Sequence, residues 1–231
     1  MPLVKLENIT KDYGSGDIVV HALRGVDLSL EPGAFVAVAG PSGSGKSTLL
    51  NIISGLDQAT AGTCEVDGQE ITGMSATQLS HLRLRRIGFI FQSYNLLPVL
   101  TAYENAEYVM MLQGVPEKER RERTMGVLKR VGLEGMEHRF PRELSGGQQQ
   151  RVAVARAIVG EPALVLADEP TANLDSTTGA ALMDLMAELN QEKGVTFIFS
   201  THDKSVMERS HEIIRLRDGL ILPNGESRAL G

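Results

Sequence analysis

Apolar and polar positions alternate in short segments over residues 3–39, the pattern of half-buried strands. A turn at Glu31-Pro32-Gly33 sets off the last of them, the continuously apolar run from Ala34 to Ala39. Helical spacing follows from about Lys46 to Ser54. Residues 62–67 read as a strand and residues 76–86 as a helix, with Leu79, Leu82 and Leu84 set among Arg83, Arg85 and Arg86. Ile87 to Phe91 is a short strand. From about residue 101 to 157 the pattern is helical with almost no β-branched runs, and a long helix is predicted over about 147–159. Alternation then resumes: strand 163–167, helix 176–191, strand 195–200, a short helix near 204–208 and strand 212–216. Strands alternating with helices predict an α/β fold with a mostly parallel sheet, here interrupted by a helical insert.

Composition narrows the function classes. The chain has 231 residues, long enough to bury a full core. Lys plus Arg is 23 against 29 Asp plus Glu, a net charge of −6, and aromatics are only 4% with no Trp. Neither a broad phosphate-backbone surface nor stacking platforms for single strands are expected, so nucleic acid is not an expected partner. The single cysteine, Cys64, excludes an internal disulfide framework and reads as a small buried hydrophobe. Met1-Pro2-Leu3-Val4-Lys5-Leu6-Glu7 carries no basic-then-apolar signal segment. No apolar run approaches the roughly 18 residues of a membrane span, so any membrane link is expected to run through a partner. Glu117 to Arg123 is nearly all charge and reads as a solvated helix face, with Glu117–Arg121 and Glu119–Arg123 pairs one turn apart.

Three stretches carry chemistry. Gly40-Pro41-Ser42-Gly43-Ser44-Gly45-Lys46-Ser47-Thr48 directly follows the strand 34–39 and opens a helix. Its glycines let successive N–H groups turn inward around a phosphate, and the helix N-terminus adds partial positive charge. In such a loop Lys46 reaches the β- and γ-phosphates and Ser47 ligates Mg²⁺. Ala163-Leu164-Val165-Leu166-Ala167-Asp168-Glu169 is an apolar strand ending in two acids. At the carboxyl end of a parallel strand, Asp168 is placed to hold Mg²⁺ and Glu169 to polarise an attacking water. Leu144-Ser145-Gly146-Gly147-Gln148 heads the long helix and offers a second anion site, most economically for the nucleotide of another subunit.

In order and spacing these stretches resemble the ATP-binding cassette (ABC) ATPases, over essentially the whole chain. The resemblance implies a P-loop NTPase core with a mostly parallel sheet, an N-terminal antiparallel β subdomain and an inserted α-helical subdomain. The expected division is one unit over 1–231, with 1–92 and 158–231 as nucleotide-binding core and 93–157 as the helical part. It further implies that Tyr13 stacks on adenine, that Gln92 touches Mg²⁺ and senses the membrane partner, and that His202 contacts the γ-phosphate. Ser145, Gly146, Gly147, Gln148 and Asp175 would serve the ATP of the opposite subunit in a head-to-tail homodimer that closes on ATP and opens on hydrolysis.

Within the family, Phe91 to Pro98, Leu100 to Asn105 and Leu50 to Asp57 are similar to the branch serving lipoprotein-releasing and macrolide-exporter systems. The expected partner is an integral membrane permease docking near residues 92–112, with a periplasmic adaptor reached through it, at the cytoplasmic face of the inner membrane. The chain departs from that branch at Ala106-Glu107-Tyr108-Val109-Met110-Met111, where the branch carries an aliphatic stretch with a proline. Tyr108, Met110 and Met111 read either as lining of the permease groove or as packing at helical spacing. The alternative function is a regulatory ATPase that signals through a membrane protein, as in cell division, without moving cargo. A role in translation or DNA repair is disfavoured, because one cassette is present without a long coiled-coil insertion.

Overall fold

This computed structural model describes residues 1–15 and 18–223. The expected reach of the core to residue 231 lies, beyond 223, outside the described residues. The chain runs through β1 (Val4–Ser15), β2 (Ile18–Leu30), β3 (Phe35–Ala39), α1 (Lys46–Ile53), β4 (Ala61–Val66), β5 (Gln69–Glu70), α2 (Ala76–Arg86) and β6 (Ile87–Ile90). The helical stretch follows as α3 (Ala102–Leu112), α4 (Glu117–Arg130), a 3₁₀ turn (Pro141–Glu143) and α5 (Gly146–Ile158). It closes with β7 (Leu164–Asp168), α6 (Ser176–Lys193), β8 (Thr196–Thr201), α7 (Lys204–Arg209), β9 (Glu212–Arg217) and β10 (Leu220–Ile221).

Two sheets form. One is a four-stranded antiparallel sheet of order β2-β1-β4-β5, and the other a six-stranded sheet of order β10-β9-β3-β8-β7-β6. From β9 to β6 the second sheet is parallel throughout, and only β10 pairs antiparallel. The parallel strands are buried on both faces, which is why they read as unbroken apolar runs. Alternate residues serve different cores. Phe35, Val165, Ala167, Phe197 and Phe199 face α3, α4, α5 and α6, whereas Val36, Val38, Leu164, Leu166 and Ile198 face α1, α2 and the antiparallel sheet. The three phenylalanine rings pack together, with Phe35 lying 4.7 Å from Phe199 and 5.6 Å from Phe197 between centroids.

Cys64 is buried in the second core, and burial pushes its thiol up to about 12. The charged helix is α4, where Glu119 and Arg123 pair at 2.6 Å. The expected Glu117–Arg121 pair does not form among the described residues; Glu117 stands in the first turn, where the helix dipole stabilises a carboxylate without a partner. Met110 is fully buried in the first core, so packing is its role, while Tyr108 and Met111 remain exposed.

Helix α5 lies so close on β6 that a Cβ at Gly88 would stand 2.2 Å from the Ala157 carbonyl oxygen. Gly88→Ala should therefore push the helix off the sheet and cost about 1–3 kcal/mol of stability, as overpacking does. Urea denaturation measures it, and an unchanged midpoint would show that the contact can relax freely.

Candidate functional site

The loop 40–45 joins the buried end of β3 to α1. Gly40 passes so close to β9 that a Cβ there would lie 2.0 Å from the Leu216 carbonyl oxygen, which only glycine avoids. Gly43 has φ +77°, a backbone that favours glycine, with open space where a side chain would stand. Gly45 precedes α1 with φ +103° and no side-chain cap, leaving the N–H groups of the first turn without a side-chain acceptor. The Ser44 hydroxyl is buried with no partner. Lys46 is 7% exposed, and its ammonium donates to the carbonyls of Gly40 (2.9 Å) and Pro41 (3.1 Å) while lying 4.0 Å from Glu169 Oε1. A curled backbone with free donors, an orphaned hydroxyl and a buried ammonium at its mouth fit a polyphosphate.

The acids arrive on the neighbouring strand ends. Ser47 Oγ donates to Asp168 Oδ1 at 3.1 Å, and the Ser200 hydroxyl donates to the same oxygen. Glu169 has φ +47°, an uncommon left-handed backbone for a residue with a side chain. That turn is held by its own N–H, which bonds Ser200 Oγ at 3.2 Å and the Ser200 carbonyl at 3.1 Å. Its carboxylate accepts from His202 Nδ1 at 2.9 Å. Because an ionised carboxylate can only accept, this bond assigns the proton to Nδ1 and leaves the other ring nitrogen of the mostly exposed His202 for a ligand. One hydroxyl beside one carboxylate suits Mg²⁺. That ion keeps water and phosphate oxygens as its remaining ligands.

The residues at the head of α5 lie in a second cluster. Ser145 Oγ accepts from the Gln148 N–H at 3.3 Å, and Gln148 Oε1 accepts from the Ser145 N–H at 2.9 Å, a reciprocal cap. Cβ atoms at Gly146 and Gly147 would stand 2.9 Å from Tyr94 Oη and 2.6 Å from Thr178 Cγ2. Asp175 caps α6, accepting from the N–H groups of Thr177 and Thr178 and from the Thr178 hydroxyl at 2.6 Å. That hydroxyl, then the backbone donors, hold its carboxyl below the usual range. The contacts of Ser145–Gln148 and Asp175 stay within this cluster, while Lys46, Ser47, Asp168, Glu169 and His202 share the other. Gln92 is exposed just after β6, and its carbonyl accepts from Asn173 Nδ2 at 2.8 Å. Tyr13 is 40% exposed on β1; burial of part of its ring, then the Asp57 carboxylate, raise its phenol pKa, so it stays a donor at ordinary pH.

Residues 23–172 match the family described as ABC transporter. The chain belongs to that family. At the level of single relatives it is 47% identical over its full length to the macrolide export ATP-binding/permease protein MacB of Syntrophobacter fumaroxidans, of which it spans 32%. It is 46% identical to the uncharacterized ABC transporter ATP-binding protein YknY of Bacillus subtilis, covering 96% of both chains. Among solved structures, the dimeric ATP-binding cassette MJ0796, in a post-hydrolysis state bound to ADP and Pi, superposes with a TM-score of 0.88 at 44% identity, over 94% of this chain and 96% of that one. ATP binding and ATP hydrolysis with Mg²⁺ come with membership in this family.

Two cassette residues escaped the sequence reading. Ser200 is fully buried yet touches both acids, and in Phe199-Ser200-Thr201 it looks like any strand residue. Arg156 donates to the carbonyls of Tyr94 (2.9 Å) and Asn95 (2.5 Å), both at positive φ, and so fixes the loop behind Gln92. Burial lowers the Arg156 pKa. The one available signal was an arginine inside the otherwise apolar run Val152 to Val159. Ser200→Ala removes a donor to Asp168 and an acceptor for the Glu169 N–H. ATP turnover should fall about 10–100-fold with a higher Mg²⁺ requirement, as loss of a supporting bond does at metal sites. Mg²⁺ titration of steady-state hydrolysis checks it.

Proposed function

We propose that this cassette drives an export-type ABC transporter, as a head-to-tail homodimer with ATP held at two shared sites. The carrying observation is the meeting of Lys46, Ser47, Asp168, Glu169 and His202 at the carboxyl ends of β3, β7 and β8. In this reading residues 40–48 cradle the phosphates of one ATP. Ser145, Gly146, Gly147, Gln148 and Asp175 of a second copy close over them, as the dimeric state of MJ0796 supports. Ser47 and Asp168, with Gln92, would hold Mg²⁺, which when bound would neutralise phosphate charge. Glu169 takes the hydrogen bond of the attacking water, and its backbone turn under Ser200 fixes the direction of that bond. His202, oriented through Nδ1, turns its second nitrogen to the γ-phosphate. Loss of the γ-phosphate removes a contact shared by both copies, so the closed state loses its bias and the dimer opens.

The name of the MacB relative supports export, with macrolide-type efflux as the work done; extrusion of lipid-linked cargo rests on the sequence resemblance alone. The MacB relatives carry their permease in one chain with the cassette, whereas YknY has nearly this chain's length. No helix among the described residues is long and apolar enough to cross a membrane. In the proposed reading this cassette sits at the cytoplasmic face of the inner membrane, held there through an integral permease. We place its docking at residues 92–112 and the adjoining cavity of about 310 Å³, lined by Leu56, Arg83, Phe89, Phe91, Val109 and Gln113. A periplasmic adaptor would be reached through the permease.

Glu169→Gln should keep ATP binding, abolish turnover and trap an ATP-bound dimer in sedimentation; a monomeric, fully active variant would sink the mechanism. Lys46→Ala should weaken nucleotide binding itself about tenfold or more, since a charged hydrogen-bond donor to phosphate is lost. Calorimetry showing unchanged ATP affinity would count against the phosphate loop.

A further inference from the structure

Tyr13 is gripped by Asp57 and Lys11, to which nothing in the phosphate chemistry assigns a part, and its hydroxyl also lies beside the side chain of Thr48 in the loop 40–48. Its hydroxyl donates to Asp57 Oδ2 at 2.6 Å. Lys11 donates to Asp57 Oδ1 at 2.6 Å and to the Gln58 carbonyl at 2.8 Å. The same ammonium lies 4.8 Å from the centroid of the Tyr13 ring, a cation–π contact. This ion pair is sheltered, with side-chain exposures of 13% for Lys11 and 29% for Asp57. The three groups come from distant parts of the chain: β1 brings Lys11 and Tyr13, and the turn after α1 brings Asp57. That turn is fixed in its own right. The Asp57 N–H bonds the Asn51 carbonyl at 3.1 Å, and Asp57 Oδ1 also accepts from the Gln58 N–H at 2.7 Å. Lys11 lies over one face of the ring, and Tyr13 still keeps 40% of its surface exposed.

We propose that Asp57, together with Lys11, is a positioning residue for the base of ATP: it holds the Tyr13 ring in the pose on which adenine stacks. This rests on the reading of Tyr13 as the adenine platform. A partly exposed tyrosine on a strand turns freely about its side-chain bonds, and binding a base would have to freeze it. The Asp57 hydrogen bond and the Lys11 contact freeze it beforehand, so the base meets a preorganised surface. The lysine also raises the electron demand on the face it lies over. Helix α1 runs from Lys46 to Ile53, and the turn that follows carries Asp57, so one short helix links the phosphate loop to the base platform.

The test is a double-mutant cycle on the full chain, reading ATP affinity by calorimetry and KM against kcat by steady-state hydrolysis. Asp57→Ala should raise Kd and KM for ATP about three- to tenfold with kcat unchanged. In a Tyr13→Ala background, where no ring remains to be positioned, Asp57→Ala should add less than about twofold. If Asp57→Ala costs the same factor in both backgrounds, or lowers kcat instead, Asp57 acts through the fold and the proposal is overturned. If Tyr13→Ala leaves ATP affinity unchanged, the platform reading itself fails, which is a different outcome. Asp57→Asn keeps the bond from the Gln58 N–H and serves where Asp57→Ala yields too little folded protein; it should show the same dependence on Tyr13 at smaller size.

Discussion

Strand β8 lies in parallel register between β3 and β7, with Ser200 opposite both Val38 and Asp168. Neighbouring strands stand about 4.8 Å apart, so this one strand sets the spacing between the phosphate loop and the two acids. Its register is not free to drift. Phe197 and Phe199 pack with Phe35 on one face while Ile198 enters the other core, and a slip of one residue would exchange the faces. Aromatic packing thus fixes the register, the register places Ser200, and Ser200 holds Asp168 and the turn of Glu169. The nucleotide chemistry stands on the shape of a hydrophobic layer that no ligand touches.

Helix α5 performs a comparable service for the second cluster. Seated on β6 through Gly88, it carries the Ser145 cap at one end and Arg156 near the other. At 1.5 Å per residue these lie about 16 Å apart on one rigid rod. Arg156 grips the Tyr94–Asn95 turn behind Gln92, so the Ser145 cap and the loop beside the 310 Å³ cavity ride on the same element.

Much of this was legible because its signals are local. A strand, a glycine loop and a helix are contiguous between Ala34 and Ser54, and Asp168–Glu169 close their own apolar run. Ser145 with Gln148 is a cap written within four residues. What stayed hidden depends on distance along the chain. Asp57 meets Tyr13 across 44 positions, through the placement of β1 beside the turn after α1, and no pattern within either segment announces it. Ser200 reads as strand filling until β8 is seated between its neighbours. Tyr108, Met110 and Met111 share one helical period in sequence; only packing separates the buried Met110 from the other two. The positive φ of Glu169 has no sequence mark at all, because the strain is imposed by the strand end rather than chosen by the side chain.

The resting contacts of Lys46 have a bearing on selectivity. Two of its three donors already serve the Gly40 and Pro41 carbonyls. An anion arriving at the loop does not meet a vacant cation; it must displace bonds of similar quality, and gains only the difference. A small ion making one or two contacts gains little by that exchange. A triphosphate spanning the loop N–H groups, the helix N-terminus and the Ser44 hydroxyl engages many donors at once and passes the threshold easily. As the phosphate loop proposed above, residues 40–48 would discriminate by the number of simultaneous contacts rather than by the charge of the visitor, which is compatible with a net charge of −6.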